Sequence, residues 1–500
     1  APPVAPAPAP ALSLQPCRLP GLATAVRCGT LARPLDPADP HGTQITLQVA
    51  VLPALARQPR PDPLLFLVGG PGQSAVELAA TLQALVGPLG QQRDLVLVDQ
   101  RGTGRSAPLR CPALEQPATA PLSQQLAGTE AQARALAACR QDLERLPGGR
   151  LTAYGTAQAA ADLEAVRQAL GVAQWNVIGV SYGTRLALEL LRQQPQTVRR
   201  LVLDGVAPAG MGLPDAAEQD AQAALDGWLA ACAADPACHQ AHPRLGARWQ
   251  AWLARLPQTF TLAHPLTGTL ERVRLDAEQV AGLLRAPLYQ PALAAGLPRA
   301  MEAAMAGRPD GLLGLAASLQ GTDGGPGLYH GLHYAVVCQE DMAPLPTGAR
   351  PGPLRRQYET LCRGWPTGAP PAPLPPSPAP VMLWAGGDDP VTPPRHALRV
   401  AQALGPKARL EVMTHGGHGL LSHPCVADRV RRFIQAPDEA AALRVSGALG
   451  APPAGGSVPL TAVAWGSCSL GLPRPLPLTD GARPRQDTPP PTQPPAAAPR

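Results

Sequence analysis

Trp175-Asn176-Val177-Ile178-Gly179-Val180-Ser181-Tyr182-Gly183-Thr184 is the stretch from which the rest of the chain is read. Val177 and Ile178 end a short, mostly apolar run, the composition of a buried strand. From Arg185 to Leu191 the apolar positions take helical company (Leu186, Ala187, Leu188, Leu190, Leu191), and Pro195 stops the pattern. Between strand and helix sits Gly179-x-Ser181-x-Gly183. A turn this sharp strains the backbone of its central residue, and glycines two residues to either side let strand and helix pass without Cβ clashes. The serine is then raised into solvent at a helix N-terminus, where partial positive charge favours an oxyanion. The string alone says little in a chain with 50 glycines. The strand before it and the helix after it make it a nucleophile elbow, with Ser181 the candidate nucleophile.

Working outward, Leu64-Leu65-Phe66-Leu67-Val68 is a continuous apolar run, as a strand buried on both faces requires, and it opens into Gly69-Gly70-Pro71-Gly72. A second run, Leu95 to Val98, leads into Asp99-Gln100-Arg101-Gly102-Thr103-Gly104-Arg105-Ser106. Arg101 and Arg105 are read as organising that loop. Residues 44–52 alternate with period two and predict a half-exposed antiparallel strand near the sheet edge. Helical spacing covers 124–147 and 157–170, and another strand is expected at 201–203. Alternating strands and helices predict a mainly parallel sheet covered by helices. After Asp204 the pattern changes: 210–375 reads as helices with little strand signal, an inserted cap, ending in the proline-rich return 366–380. The sheet resumes at Val381–Ala385 and Leu410–Met413. The expected organisation is an arm over 1–16 without order, core over 17–209, cap over 210–375, core again over 376–437, and a low-complexity tail over 438–500.

A serine nucleophile needs a base, and the base needs an orienting acid. Both late strands end in loops that supply them: Asp388-Asp389-Pro390-Val391-Thr392-Pro393-Pro394 and Thr414-His415-Gly416-Gly417-His418-Gly419. Asp389 is preferred to Asp388 because it abuts the Pro-Val-Thr-Pro-Pro turn, and Asp204 is an alternative acid after an earlier strand. His418, between glycines, is preferred to His415. The oxyanion donors are expected to be the amide of Tyr182 and one from the Gly69–Gly72 loop. Pro71 has no N–H, so Gly70 or Gly72 must serve, with Gly70 the first choice. None of the three H-x-x-H spacings has the H-E-x-x-H form, and no catalytic metal is expected.

Arginine replaces lysine almost entirely, Lys407 being the only lysine, and the formal net charge of +6 is spread thinly. With aromatics at 3%, there is no cluster of basic and aromatic residues such as a nucleic-acid surface uses. No apolar run is long enough for a membrane span. Ten cysteines, none in a C-x-x-C arrangement, suggest an oxidising compartment. Local pairs 17–28, 111–139, 232–238 and 338–362 are favoured, with 425–468 left over. The start at Ala1 within an Ala/Pro-rich stretch reads as a secreted or periplasmic chain after leader removal.

Together, Gly69-Gly70-Pro71-Gly72, Asp99-Gln100-Arg101-Gly102-x-Gly104-x-Ser106, Gly179-x-Ser181-x-Gly183, Asp389-Pro390-Val391-Thr392-Pro393 and Gly417-His418-Gly419 resemble the proline iminopeptidase and tripeptidyl aminopeptidase family of serine exopeptidases. The match is closer to the secreted tripeptidyl aminopeptidase branch. Val68 stands where proline iminopeptidases usually carry histidine, and the large cap carries Cys232 and Cys238. The resemblance implies an α/β-hydrolase fold with an inserted helical cap, no cofactor, and a monomer that cleaves peptides with a free N-terminus. It also implies cap carboxylates that bind the substrate amine, for which Glu340 and Asp341 beside Cys338 are the candidates. The plainer alternative for these two is a pair of solvated acids on a surface turn. Rival functions are a carboxylesterase using the same Ser-Asp-His set and a secreted binding protein without turnover.

Overall fold

A computed structural model describes residues 12–445 apart from 321–326 and 370, together with Cys468. Nine strands form one sheet in the order β1-β2-β3-β5-β4-β6-β7-β10-β11. They are β1 (Gln15–Cys17), β2 (Val26–Pro34), β3 (Gln44–Leu52), β4 (Leu64–Leu67), β5 (Leu95–Val98), β6 (Trp175–Val180), β7 (Val198–Asp204), β10 (Val381–Gly386) and β11 (Ala408–Met413). The first three pair antiparallel, as does β3 with β5. From β5 to β11 every pairing is parallel. This is the α/β-hydrolase architecture that the motifs imply.

The central strands are continuous apolar runs because both of their faces are covered. Successive residues of β6 point to opposite sides. Val177 joins a core with Leu163, Leu186 and Val400 from the helices Thr156–Ala169, Tyr182–Gln193 and Pro394–Leu404. Ile178 joins one with Leu82, Val430 and Phe433 from Ala79–Val86 and Pro424–Gln435. Register brings the strand ends level: Leu67 faces Gly179, Gly179 faces Leu203, Asp204 faces Trp384, and Gly386 faces Met413. The loops that leave β4, β6, β7, β10 and β11 therefore open at one carboxyl edge, which is where open α/β sheets bind ligands.

Between β7 and β10 the chain builds a helical layer with its own core. Trp228, Trp249, Trp252 and Phe260 are buried in it, with the rings of Trp249 and Trp252 stacked at 4.7 Å. Beside the expected helices it contains an antiparallel hairpin that the sequence reading did not place, β8 (Gln258–Ala263) and β9 (Leu270–Leu275). Phe260 and Leu262 point inward and Thr259 and Thr261 outward, a period-two signal only five residues long.

Three further expectations are corrected. β3 is not half-exposed beyond Thr46, because both of its faces are covered: Leu47, Val49 and Val51 enter one core and Ala50 and Leu52 the other. Gln15 and Pro16, placed in the arm, belong to β1 and pair with β2; residues 1–11 lie outside the described residues. Of the stretch read as a tail, Glu439–Val445 is helical and packs Ala442 into the core, while 446–467 and 469–500 lie outside the described residues. All ten cysteines are paired: 17–28, 111–139, 232–238, 338–362 and 425–468. Among the described residues no helix is long and apolar enough to cross a membrane.

Candidate active site

Ser181 has φ 57° and ψ −126°, a backbone that non-glycine residues rarely adopt, at the junction of β6 and the helix Tyr182–Gln193. The flanking glycines are sterically required. A Cβ on Gly179 would meet the Gly183 carbonyl oxygen at 2.5 Å, and one on Gly183 would meet the Leu67 carbonyl oxygen at 2.2 Å. As the first residue of its helix, Tyr182 has no intrahelical acceptor for its N–H.

The loop after β4 comes equally close: a Cβ on Gly69 would lie 3.1 Å from Ser181 Cβ. The Gly69 N–H is taken by Gln73 Oε1 at 3.0 Å. Gly70 and Pro71 line a cavity of about 170 Å³ together with Ser181 and Tyr182. Gly72 is not on that wall, and a Cβ on it would meet the Tyr329 carbonyl oxygen at 2.9 Å. Of the two glycines weighed for the oxyanion role, Gly70 is the one on the cavity wall.

On the other side, His418 Nδ1 lies 2.8 Å from Asp389 Oδ2 and 3.0 Å from Thr392 Oγ1. Asp389 is buried, and its remaining acceptor capacity is filled by the N–H groups of Val391 and Thr392 and by the Thr392 hydroxyl. Burial alone would raise the Asp389 pKa, but the His418 charge and these donors outweigh it and hold the carboxyl below its ordinary value. For His418, burial pushes downward, and the charge and hydrogen bond of Asp389 prevail, raising its pKa above 6.5. The donated Nδ1–H leaves Nε2 as the basic nitrogen.

Three supports were not legible in the sequence, and a fourth, Asp204, was read there only as an alternative acid. Thr392 bridges acid and base. Tyr289, from the helical layer, takes the His418 N–H on its carbonyl at 2.9 Å and sets its ring edge-on to the imidazole at 5.1 Å. Gly205, at φ +65°, lies so close that a Cβ would sit 3.1 Å from His418 Cε1. Asp204 joins the two halves: its carbonyl takes the Ser181 N–H at 2.9 Å, and its Oδ2 takes the N–H groups of Leu420 and Leu421 at 2.6 and 2.9 Å. Burial raises its carboxyl to about 6. Asp204 thus holds the histidine loop from behind, while the hydrogen bond to the imidazole Nδ1 is made by Asp389. Asp388 instead lies 3.5 Å from His415 Nδ1.

His333 sits beneath the Gly-Pro loop. Burial lowers its pKa to about 4, so the ring is neutral; Nδ1–H donates to the Pro71 carbonyl at 3.2 Å, and Nε2 accepts from the Tyr358 hydroxyl. Arg101 is fully buried, with two bonds to Asp162 and two to the Leu35 and Ala153 carbonyls, the organising role expected of it.

The two cap acids are not solvated. Asp341 is 2% exposed and makes a double ion pair with Arg185, one helical turn beyond Ser181, at 2.8 and 3.0 Å. Glu340 takes the Thr156 N–H and hydroxyl and lies 3.4 Å from Arg185. Asp341 is on the wall of the cavity that holds Ser181, while Glu340 faces a different one behind the helix Tyr182–Gln193.

Residues 62–281 match the family model described as the alpha/beta hydrolase fold, and residues 353–442 match the one described as TAP-like protein. The tripeptidyl aminopeptidase of Streptomyces lividans is 28% identical over 458 residues, covering 82% of this chain and 81% of that protein. Carboxylesterase B of Mycobacterium tuberculosis is 33% identical over 225 residues, 42% of each chain. Serine protease Hip1 of Mycobacterium tuberculosis is 29% identical over 223 residues, again 42% of each. The first family model contains the elbow and the second contains both the acid and the histidine loops. The chain is a serine hydrolase and belongs to the α/β-hydrolase family that includes the tripeptidyl aminopeptidases.

Proposed function

We propose that this protein is a serine exopeptidase that releases short peptides from free N-termini through an acyl-enzyme. Ser181 attacks the scissile carbonyl, His418 Nε2 takes the hydroxyl proton and returns it to the leaving amine, and Asp389 fixes the tautomer and stabilises the imidazolium. The amides of Tyr182 and Gly70 hold the oxyanion in a position the ground-state carbonyl does not fill. Water then repeats the sequence on the ester, and no cofactor enters any step. The observation that carries this reading is the His418–Asp389 contact of 2.8 Å at the same sheet edge as the strained Ser181 elbow.

The peptidase part rests on the relative matched along most of the chain and on the acids beyond Ser181. Asp341 and Glu340 share the single guanidinium of Arg185, so the group keeps a net negative charge beside the cavity. A substrate ammonium bound by Asp341 completes the neutralisation. Five disulfides support export to an oxidising compartment.

The test compares Ala-Ala-Pro-anilide and Pro-anilide bearing free amines with N-acetylated Ala-Ala-Pro-anilide and a butyrate ester. Cleavage that requires the free amine establishes an aminopeptidase, and the better anilide gives the length released. A carboxylesterase is the second reading, favoured by the occupation of both cap acids by Arg185. It stands if only the ester turns over.

A further inference from the structure

Two arginines line the active cavity, Arg185 and Arg285, and only the first is neutralised, by Asp341. Arg285, on the helix Ala277–Leu288, is half-buried on the cavity wall and has no hydrogen-bond or ion-pair partner among the described residues. It also lines a second, larger cavity of about 580 Å³ within the helical layer, so the two spaces meet at its side chain, with Ala217 and Leu354 shared as well. The acids of the larger cavity are engaged elsewhere. Glu218 takes the Leu354 N–H, Asp276 caps its own helix, and Glu278 takes the Thr129 hydroxyl.

The side of the reaction that Arg285 serves follows from proton transfer. The departing group takes its proton from His418 and must therefore lie beside that ring. Tyr289, edge-on to the ring, comes four residues after Arg285 at the end of the same helix, so the two lie on one face. An unpaired guanidinium at that place, at the mouth of a space able to hold several residues, calls for an anion with two oxygens.

We propose that Arg285 binds a carboxylate on the leaving-group side of the scissile bond, with the adjoining cavity holding the remainder of that group. The inference rests on the roles proposed for Ser181 and His418. In a peptide the carboxylate is either the C-terminus of a short substrate or an acidic side chain just after the cleaved bond.

The experiment compares wild type, Arg285→Gln and Arg285→Lys on three matched pairs. These are Ala-Ala-Pro-Ala as free acid and as amide, the amides of Ala-Ala-Pro-Glu and Ala-Ala-Pro-Gln, and 4-butyryloxybenzoate with its methyl ester. Wild type is expected to favour the charged member of a pair by about tenfold to a hundredfold in kcat/KM, through KM, as a charge-assisted hydrogen bond provides. Arg285→Gln abolishes that preference, Arg285→Lys retains part of it, and neutral members change by less than about twofold. The first two pairs separate C-terminus from side chain. Absence of any preference in wild type, or an equal loss on charged and neutral members in Arg285→Gln, overturns the proposal. If peptides resist cleavage while esters react, the exopeptidase reading fails and the ester pair still reports on Arg285.

Discussion

Asp389→Asn is the substitution that most sharply divides the two acids near His418. Asp389 Oδ1 accepts two backbone N–H groups, and Oδ2 accepts the Thr392 hydroxyl and faces His418 Nδ1. An asparagine retains the first pair through its amide oxygen. Its NH₂ must then point at His418 Nδ1 and can only donate, which drives the imidazole proton to Nε2, the atom that has to receive the serine proton. Loss of the correct tautomer costs about 10⁴ in kcat in serine hydrolases, or about 5.5 kcal/mol of barrier. The amide is isosteric, so the folded state loses less than about 2 kcal/mol. Asp204→Asn differs. The amide oxygen can keep both bonds to Leu420 and Leu421, and Asp204 Oδ1, where the NH₂ would sit, has no hydrogen-bond partner among the described residues. Its kcat should fall by less than about tenfold. The assay is steady-state ester hydrolysis beside a thermal melt of each variant. A correctly folded Asp389→Asn within tenfold of wild type, or Asp204→Asn losing about four orders of magnitude, would refute this assignment of the acid.

The pH dependence has two parts. Because Asp389 raises the His418 pKa, the acid limb of kcat/KM should have its midpoint above 6.5, and a midpoint at or below that value contradicts the pairing. Asp204 acts on stability with the opposite sense from a salt-bridged acid: its folded pKa of about 6 exceeds the ordinary 3.8, so stability falls as pH rises through that window. Relative to Asp204→Asn, wild type should lose about 3 kcal/mol between pH 3.8 and pH 7, measured by denaturant unfolding. Gly183→Ala places a Cβ 2.2 Å from the Leu67 carbonyl oxygen; the helix must retreat, with a destabilisation of about 1–3 kcal/mol and loss of ester turnover, both measurable on the purified variant. Replacing Cys425 and Cys468 together by serine opens a closure of sequence separation 43, which should lower unfolding free energy by about 4 kcal/mol in the chain-entropy treatment, read by calorimetry.

The sheet and most of the candidate site were legible because their signals are local. A strand buried on both faces must be an unbroken apolar run, so β4, β5, β6 and β10 declare themselves, and each motif follows its strand directly. The five disulfides were legible because sequence neighbours close them, apart from 425–468. What escaped depends on contacts between distant segments. Nothing near Tyr289 reveals that it meets His418, since 129 residues separate them. Glu340 and Asp341 read as solvated or substrate-binding acids because their partner, Arg185, lies across the fold on the elbow helix. Thr392 hides inside a turn whose prolines dominate its reading. The hairpin β8–β9 was too short to outweigh the helical pattern around it.

On the mechanism proposed above, Ser181 Oγ, activated by His418, is the nucleophile that accepts the acyl group. The direct measurement is peptide mapping by mass spectrometry after reaction with a fluorophosphonate, applied to wild type, Ser181→Ala and His418→Gln. One modified residue, Ser181, is expected, with no labelling in Ser181→Ala and strongly slowed labelling in His418→Gln. Labelling at another residue, or a Ser181→Ala protein that still reacts or still hydrolyses ester at the wild-type rate, would contradict it.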